Sequence, residues 1–346
     1  MSGAIRSALA LTRAQILAFR RRASGLDARA PMSTDSLRLA AWAGLQDSMP
    51  RAALLSIHAR VADTPPDVLD DVSLAQIWGP RYSMYVVASV DVAVFTLGRM
   101  PDDVRGRERA EAMARLVRGY THGEKMPYDD VGLALGLHNA NALRYGTATG
   151  TILIRWEGAR RPLIWAIAPP VINVEEARLE LARRYLHLFG PGNAESFAGW
   201  AGVSSRSAAG TFRALEPELT QVRSPIGDSW LLTADEAFTR AEPQPLARVR
   251  LLPSGDTYFL LQGSERELLV PDARRRAELW TSRVWPGALL VDTEITGVWR
   301  RAHEKMTIDL WRPLSGDERA AVEAEAASLP LPGLALPISV SFAHAA

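Results

Sequence analysis

Cysteine is missing from all 346 residues. That excludes disulfides, zinc–thiolate sites and thiol nucleophiles, and makes a reducing cytoplasm the natural home of the chain. Lysine is nearly missing too: of 40 basic residues only Lys125 and Lys305 are lysines. The 6 histidines, at 58, 122, 138, 187, 303 and 344, never fall at metal-ligand spacing. HExxH, P-loop and GxSxG motifs are lacking, as is a Ser-His-Asp set, so neither a metal, a covalent nucleophile nor a cofactor is expected. No apolar run approaches the roughly 18 residues of a membrane span. The opening MSGAIRSALALTRAQILAFRRR has no apolar h-region with a small-residue cleavage site, so it is expected to belong to the fold.

What the chain does have is an ordinary apolar fraction of 47%, enough for a sizeable core, and length for two or three domains of roughly 150 residues. Its net charge is only +1. A GC-rich genome yields the arginine bias without any function, yet arginine also suits phosphate forks and base stacking. Acidic residues gather between Asp63 and Asp71 and between Glu318 and Glu325, which leaves room for a basic groove elsewhere. Composition permits nucleic-acid binding without demanding it.

Along the first hundred residues, Thr12 and then Ser33 or Asp35 are expected to open helices, and Pro50 to start another through about Val61. Ser73 to Trp78 reads as a short helix and RYSMYVV (81–87) as a strand. Next come a charge-laced helix (105–119), two shorter ones (128–137 and 139–145) and a hairpin, TILIRW-EGAR-RPLIWAI, turning at Glu157-Gly158. Short helices followed by a two-stranded hairpin outline a winged helix. The outline recurs: a long helix over 174–189, then helix, Gly202, a Ser204 cap and a second helix to Leu215, with TQVRSPIGDSWLLT as the wing. Glu242 to Pro245 reads as a linker. Beyond it ARVRLLP, TYFLLQ, ELLV, GALLVD, EITGVWRR and MTIDLWRP read as strands of a small barrel or curled sheet, before a helix (316–328) and an apolar tail.

Two places could carry function. Arg206 and Arg213 lie seven apart on one helix face and suit phosphate contact, although a solvated face would look the same. In AWAGLQDSMPRAAL (41–54), an amide, a carboxylate and a hydroxyl stand together as Gln46-Asp47-Ser48. Asp47 or Ser48 would serve as a cap for the helix at Pro50, but a cap leaves Gln46 unexplained.

GLQ…PRAA (44–53), RYSMYVV, ATGTILIRWEGARRPLIWAIAPP (148–170), RRYLHLFGPGNAESFAGWAGVS (183–204), RVRLLPSGDTYFLL (248–261) and VDTEITGVWRR…LWRPLSGDERAAVEAEA, in that order, resemble the AlkZ/YcaQ-type DNA glycosylases. The resemblance covers nearly the whole chain. It implies an α+β fold of three tandem winged-helix domains in a C-shape plus a small C-terminal β-barrel, divided as 1–100, 101–170, 171–242 and 243–346. It further implies a monomer that excises alkylated or cross-linked purines from duplex DNA, without membrane or metal, in protection of a producer of a DNA-alkylating compound. Such enzymes carry a Gln-hydrophobic-Gln or Gln-hydrophobic-Asp triplet. Gln46 falls on the first glutamine, whereas Asp47 replaces the hydrophobic residue and Ser48 the last. In an extended segment Gln46 and Ser48 share a face and Asp47 points away. Within the family-like segments Arg81, Arg155, Arg160, Arg161, Arg206, Arg213, Arg300 and Arg301 are the candidate phosphate contacts. A non-enzymatic DNA-binding or damage-sensing protein is the competing expectation, and a protein-interaction scaffold a third.

Overall fold

Short polar side chains start the helices. Thr12, Ser33, Asn173 and Ser315 each accept a bond from the third helical N–H while residue three reaches back, closing capping boxes on helices Arg13–Ala23, Thr34–Ala40, Val174–Phe189 and Gly316–Ala327. The computed structural model describes residues 8–47, 51–156, 161–240, 249–331, 333 and 337–344.

These helices carry four sheets. The first has the order Leu45–Gln46, Met84–Ala88, Leu74–Trp78, all antiparallel. The second is Met126–Pro127, Leu163–Ala166, Ile152–Arg155. In the third, hairpin Leu219–Ser224/Gly227–Leu232 follows helices Ala194–Ala201 and Ser205–Leu215, and Leu9–Ala10 from the far N-terminal side joins it in parallel. The fourth is five-stranded: Val249–Leu252, Gly287–Val291, Glu294–Ala302, Lys305–Leu310 and Ser339–His344. No pairing among the described residues joins its end strands, so it is an open sheet, with helix Gly316–Ala327 packed over it.

Some local expectations fail, each for the same reason. Leu74–Trp78 is a strand, not a helix, because it pairs residue for residue with Met84–Ala88. TYFLLQ holds a 3-10 turn at Thr257–Phe259, and ELLV ends helix Ser264–Leu269, with Val270 as its extended cap. Part of the apolar tail is a strand, Ser339–His344, along Lys305–Leu310. Apolar runs of four to six residues carry too little periodicity to tell strand from helix, so the pairing partner decides.

The central core gathers around Tyr185, Phe189, Phe197 and Trp200, whose rings lie about one van der Waals layer apart, at 5.4 to 6.3 Å between centroids. Tyr85, Phe95, Leu260 and Trp280 belong to the same cluster, which ties residues near both ends of the chain to helix Val174–Phe189. The first two sheets meet edge to edge. Buried Gln76 accepts from the Trp156 N–H at 2.6 Å and donates to its carbonyl at 3.4 Å. No helix among the described residues is long and apolar enough to cross a membrane.

Candidate active site

Gln46 is delivered to its place by Gly44. That residue has φ +73°, and a Cβ on it would come within 2.9 Å of the Tyr85 ring and 3.1 Å of Phe95, so only glycine lets the chain turn there. The strand that follows buries Leu45, pairs Gln46 with Tyr85 and ends with the Asp47 N–H donating to Met84 O at 2.7 Å. Strand alternation then sends Gln46 and Asp47 to opposite sides.

The Asp47 carboxylate turns to helix Ala52–His58 and accepts from the Ala53 N–H at 3.0 Å. The residue in the cap position, Arg51, sits at φ 65° and supplies no side-chain cap, so Asp47 does this from six residues away. Burial pushes the Asp47 carboxyl up to about 6, against the Ala53 bond and the charge of Arg155. Ser48 and Pro50 lie outside the described residues.

Gln46 lines a cleft of 360 Å³ between residues 46–83 and residues 254–285. Its amide lies against Gly255, where a Cβ would be 3.5 Å from Gln46 Cδ. Arg81, Ser83, Arg283, Val284 and Trp285 share the lining, and none of the lining residues is a carboxylate. The guanidinium of Arg266 stacks 5.3 Å from the Trp285 ring and 5.0 Å from Trp280; burial, then the neighbouring charge of Arg81, lowers its pKa. The cleft is therefore an aromatic-walled, cationic space with one carboxamide in it. A larger cleft of 1030 Å³ adjoins it at Arg81 and runs along helix Ser205–Leu215 past Arg99, Arg107, Arg178 and Arg206.

The other candidate arginines are dispersed. Arg206 and Arg213 are both exposed on their helix, and Arg206 alone of the two lines the larger cleft. Arg300 is exposed and donates to Val284 O, on the rim of the Gln46 cleft. Arg301 donates to His303 O; burial, then Arg51 nearby, lowers its pKa. Arg155 is engaged within the chain, donating to Leu69 O and to the exposed Asp70 carboxylate. Arg161 is exposed, 3.5 Å from Asp130. Arg160 lies outside the described residues. Sequence patterns alone do not mark Ser83, Gly255, Arg283 and Trp285 as site residues. Ser83 and Gly255 stand inside segments already conspicuous in the sequence, RYSMYVV and LLPSGD, but Trp285 gave no local signal.

A sequence model of the family described as "DNA glycosylase AlkZ-like" matches residues 39–330. The chain belongs to that family. Among curated proteins, this AlkZ-like chain is similar to an "Interstrand DNA cross-link repair glycosylase" of Streptomyces sahachiroi, 31% identical over 163 residues. That alignment takes in 44% of this chain and 42% of the relative, so it spans less than half the length of either. Among solved structures, the Streptomyces sahachiroi DNA glycosylase AlkZ superposes with a TM-score of 0.78. The superposition covers 97% of this chain and 100% of that one at 18% identity, which shows a shared fold.

Proposed function

We propose that this protein is a DNA glycosylase that hydrolyses the N-glycosidic bond of alkylated purines, N7-alkylated or cross-linked, in duplex DNA. The observation that carries the reading is the position of Gln46: a carboxamide on the wall of a cationic, aromatic-lined cleft, in a member of the AlkZ-like family. The three small sheets with their helices are read as three winged helices within 1–100, 101–170 and 171–242, the strand Leu9–Ala10 serving the third, with 243–346 as the fourth unit. Helix, turn, helix and hairpin from Ala194 to Leu232 are what supports this division.

The chemistry asks little of the protein. An N7-alkylated purine is already cationic, so the C1′–N9 bond breaks with its electron pair going to a base that leaves neutral, without protonation. A water oxygen bonds to the oxocarbenium-like C1′, and one water proton passes to solvent. Positioning that water and stabilising the transition state suffice. Gln46 has the acceptor to orient the water, and Ser48 stands two residues on. Asp47, occupied with the Ala53 N–H, is assigned to holding the segment rather than to the water.

Single-turnover excision on duplex DNA carrying an N7-alkylguanine tests this. Gln46→Ala is expected to abolish excision while melting temperature and DNA affinity stay at the wild-type values, and Ser48→Gln to raise activity by bringing a donor and an acceptor toward the water. Wild type and Ser48→Gln both inert, yet tightly bound to DNA, would replace the enzyme by a damage-sensing protein.

A further inference from the structure

Arg81 and Tyr82 are two consecutive residues with left-handed backbone, at φ 55° and 57°. Neither is glycine, and each such residue costs free energy that glycine would spare. The surroundings impose the conformation. The Gly79 N–H donates to Ser83 O at 2.8 Å and the Tyr82 N–H to Gly79 O at 3.1 Å, closing the turn. The Tyr82 ring lies 5.2 Å from the Arg144 guanidinium and 5.5 Å from that of Arg99. From the third unit Gly202, itself at φ +71°, comes so near that a Cβ there would be 3.1 Å from the Arg81 nitrogen. Elements from 144 and 202 thus press on one turn of the first unit, and strain held this firmly is typical of functional sites.

The outcome is the placement of one side chain. Arg81 is exposed, lies beside the buried Tyr85 hydroxyl, has no carboxylate partner among the described residues, and lines both clefts where they join. A nucleotide whose base enters the Gln46 cleft keeps its phosphates on the strand, and with the strand laid along the adjoining cleft its phosphodiester passes the junction at Arg81. We propose, building on the glycosylase reading, that Arg81 grips the phosphodiester flanking the extruded nucleotide, as a substrate-positioning residue held ready by the strained turn. A guanidinium forks two phosphate oxygens, and Arg283 adds a second positive charge; no described residue of the Gln46-cleft lining is a carboxylate, while Asp102, Asp103 and Glu175 line the larger cleft beyond it.

The test is an affinity cycle that needs no excision. Duplex DNA containing a tetrahydrofuran abasic nucleotide is prepared with natural linkages, and again with a neutral methylphosphonate at the 5′ or the 3′ flanking linkage. Wild type and Arg81→Gly are titrated against each; glycine removes the guanidinium and tolerates the positive φ, so the variant keeps or raises the melting temperature. Arg81→Gly is expected to lose about tenfold or more in affinity for the natural abasic duplex. One neutral linkage should cost wild type the same factor and cost Arg81→Gly nothing further. Losses that simply add, or wild-type binding that neither neutral linkage weakens, overturn the proposal whatever the variant's stability. A wild type that binds no duplex at low salt overturns the DNA reading as well, and so separates the two failures.

Discussion

Asp47 stands between two demands. Its carboxylate satisfies an orphan N–H of helix Ala52–His58, yet its burial raises the carboxyl from 3.8 to about 6. A raised carboxyl favours the folded state in its protonated form: its contribution is present below pH 3.8 and lost as pH rises through about 6. Asp47→Asn keeps an acceptor for Ala53 without the charge. The melting-temperature difference between this variant and wild type should therefore grow in the variant's favour from pH 4 to 7. Asp47→Ala gives up the cap and should cost about 1 kcal/mol at neutral pH. The difference between variants is the quantity to measure, because His58 opposes it. Burial, then Arg29, lowers His58 from 6.5 to about 4, so its contribution is present above pH 6.5 and fades as pH falls toward 4.

At the scale of elements, helix Ser205–Leu215 has the clearest division of labour. Ala208, Phe212 and Leu215 are buried while Arg206 and Arg213 are exposed. If both arginines neutralise phosphates, Arg206→Ala with Arg213→Ala should reduce the salt slope of duplex binding by roughly 1.8 log units per log unit of salt, at about 0.9 per contact. Single-turnover excision at saturating enzyme should fall far less than with Gln46→Ala, since the helix lies along the larger cleft and not beside Gln46. An unchanged slope would make this a solvated face after all. Arg155, by contrast, looks identical in sequence but is spent on Leu69 and Asp70, holding its hairpin to the turn at Val68–Asp70.

For the whole molecule, the join between helix Ala52–His58 and the turn at Pro253–Asp256 matters most, because the Gln46 cleft is built across it. Arg60, on the first side, forks fully buried Asp256 at 2.8 and 2.9 Å, and Ser56 Oγ adds a bond of 2.7 Å. Burial alone would raise Asp256; Arg60, Ser56 and the Tyr258 N–H overcome it and hold the carboxyl below its ordinary value. Asp256→Asn would leave the Arg60 charge buried and unpaired, at a cost of about 3–5 kcal/mol, read as a fall in denaturation midpoint. The turn fixed by Asp256 carries Gly255, so a shortfall in excision should accompany the loss of stability even at temperatures where the variant is folded.

Sequence alone determined the features written in local bonds. Caps at Thr12, Ser33 and Ser204, the alternation of both hairpins and the two short helices before Leu215 all depend on residues a few positions apart, and all are where their patterns put them. Gln46 stood out because a cap could not account for it. Tertiary structure decided what has no local signature. Leu74–Trp78 became a strand because Met84–Ala88 pairs with it, and Leu9–Ala10 joined a hairpin more than two hundred residues away. Periodicity tells which face of a strand is Gln46's, but nothing in it says that Gly255 and Trp285 will form the opposite wall. That choice belongs to the packing of the Tyr185 core and the Arg60–Asp256 pair, contacts that exist only when distant segments are already folded together.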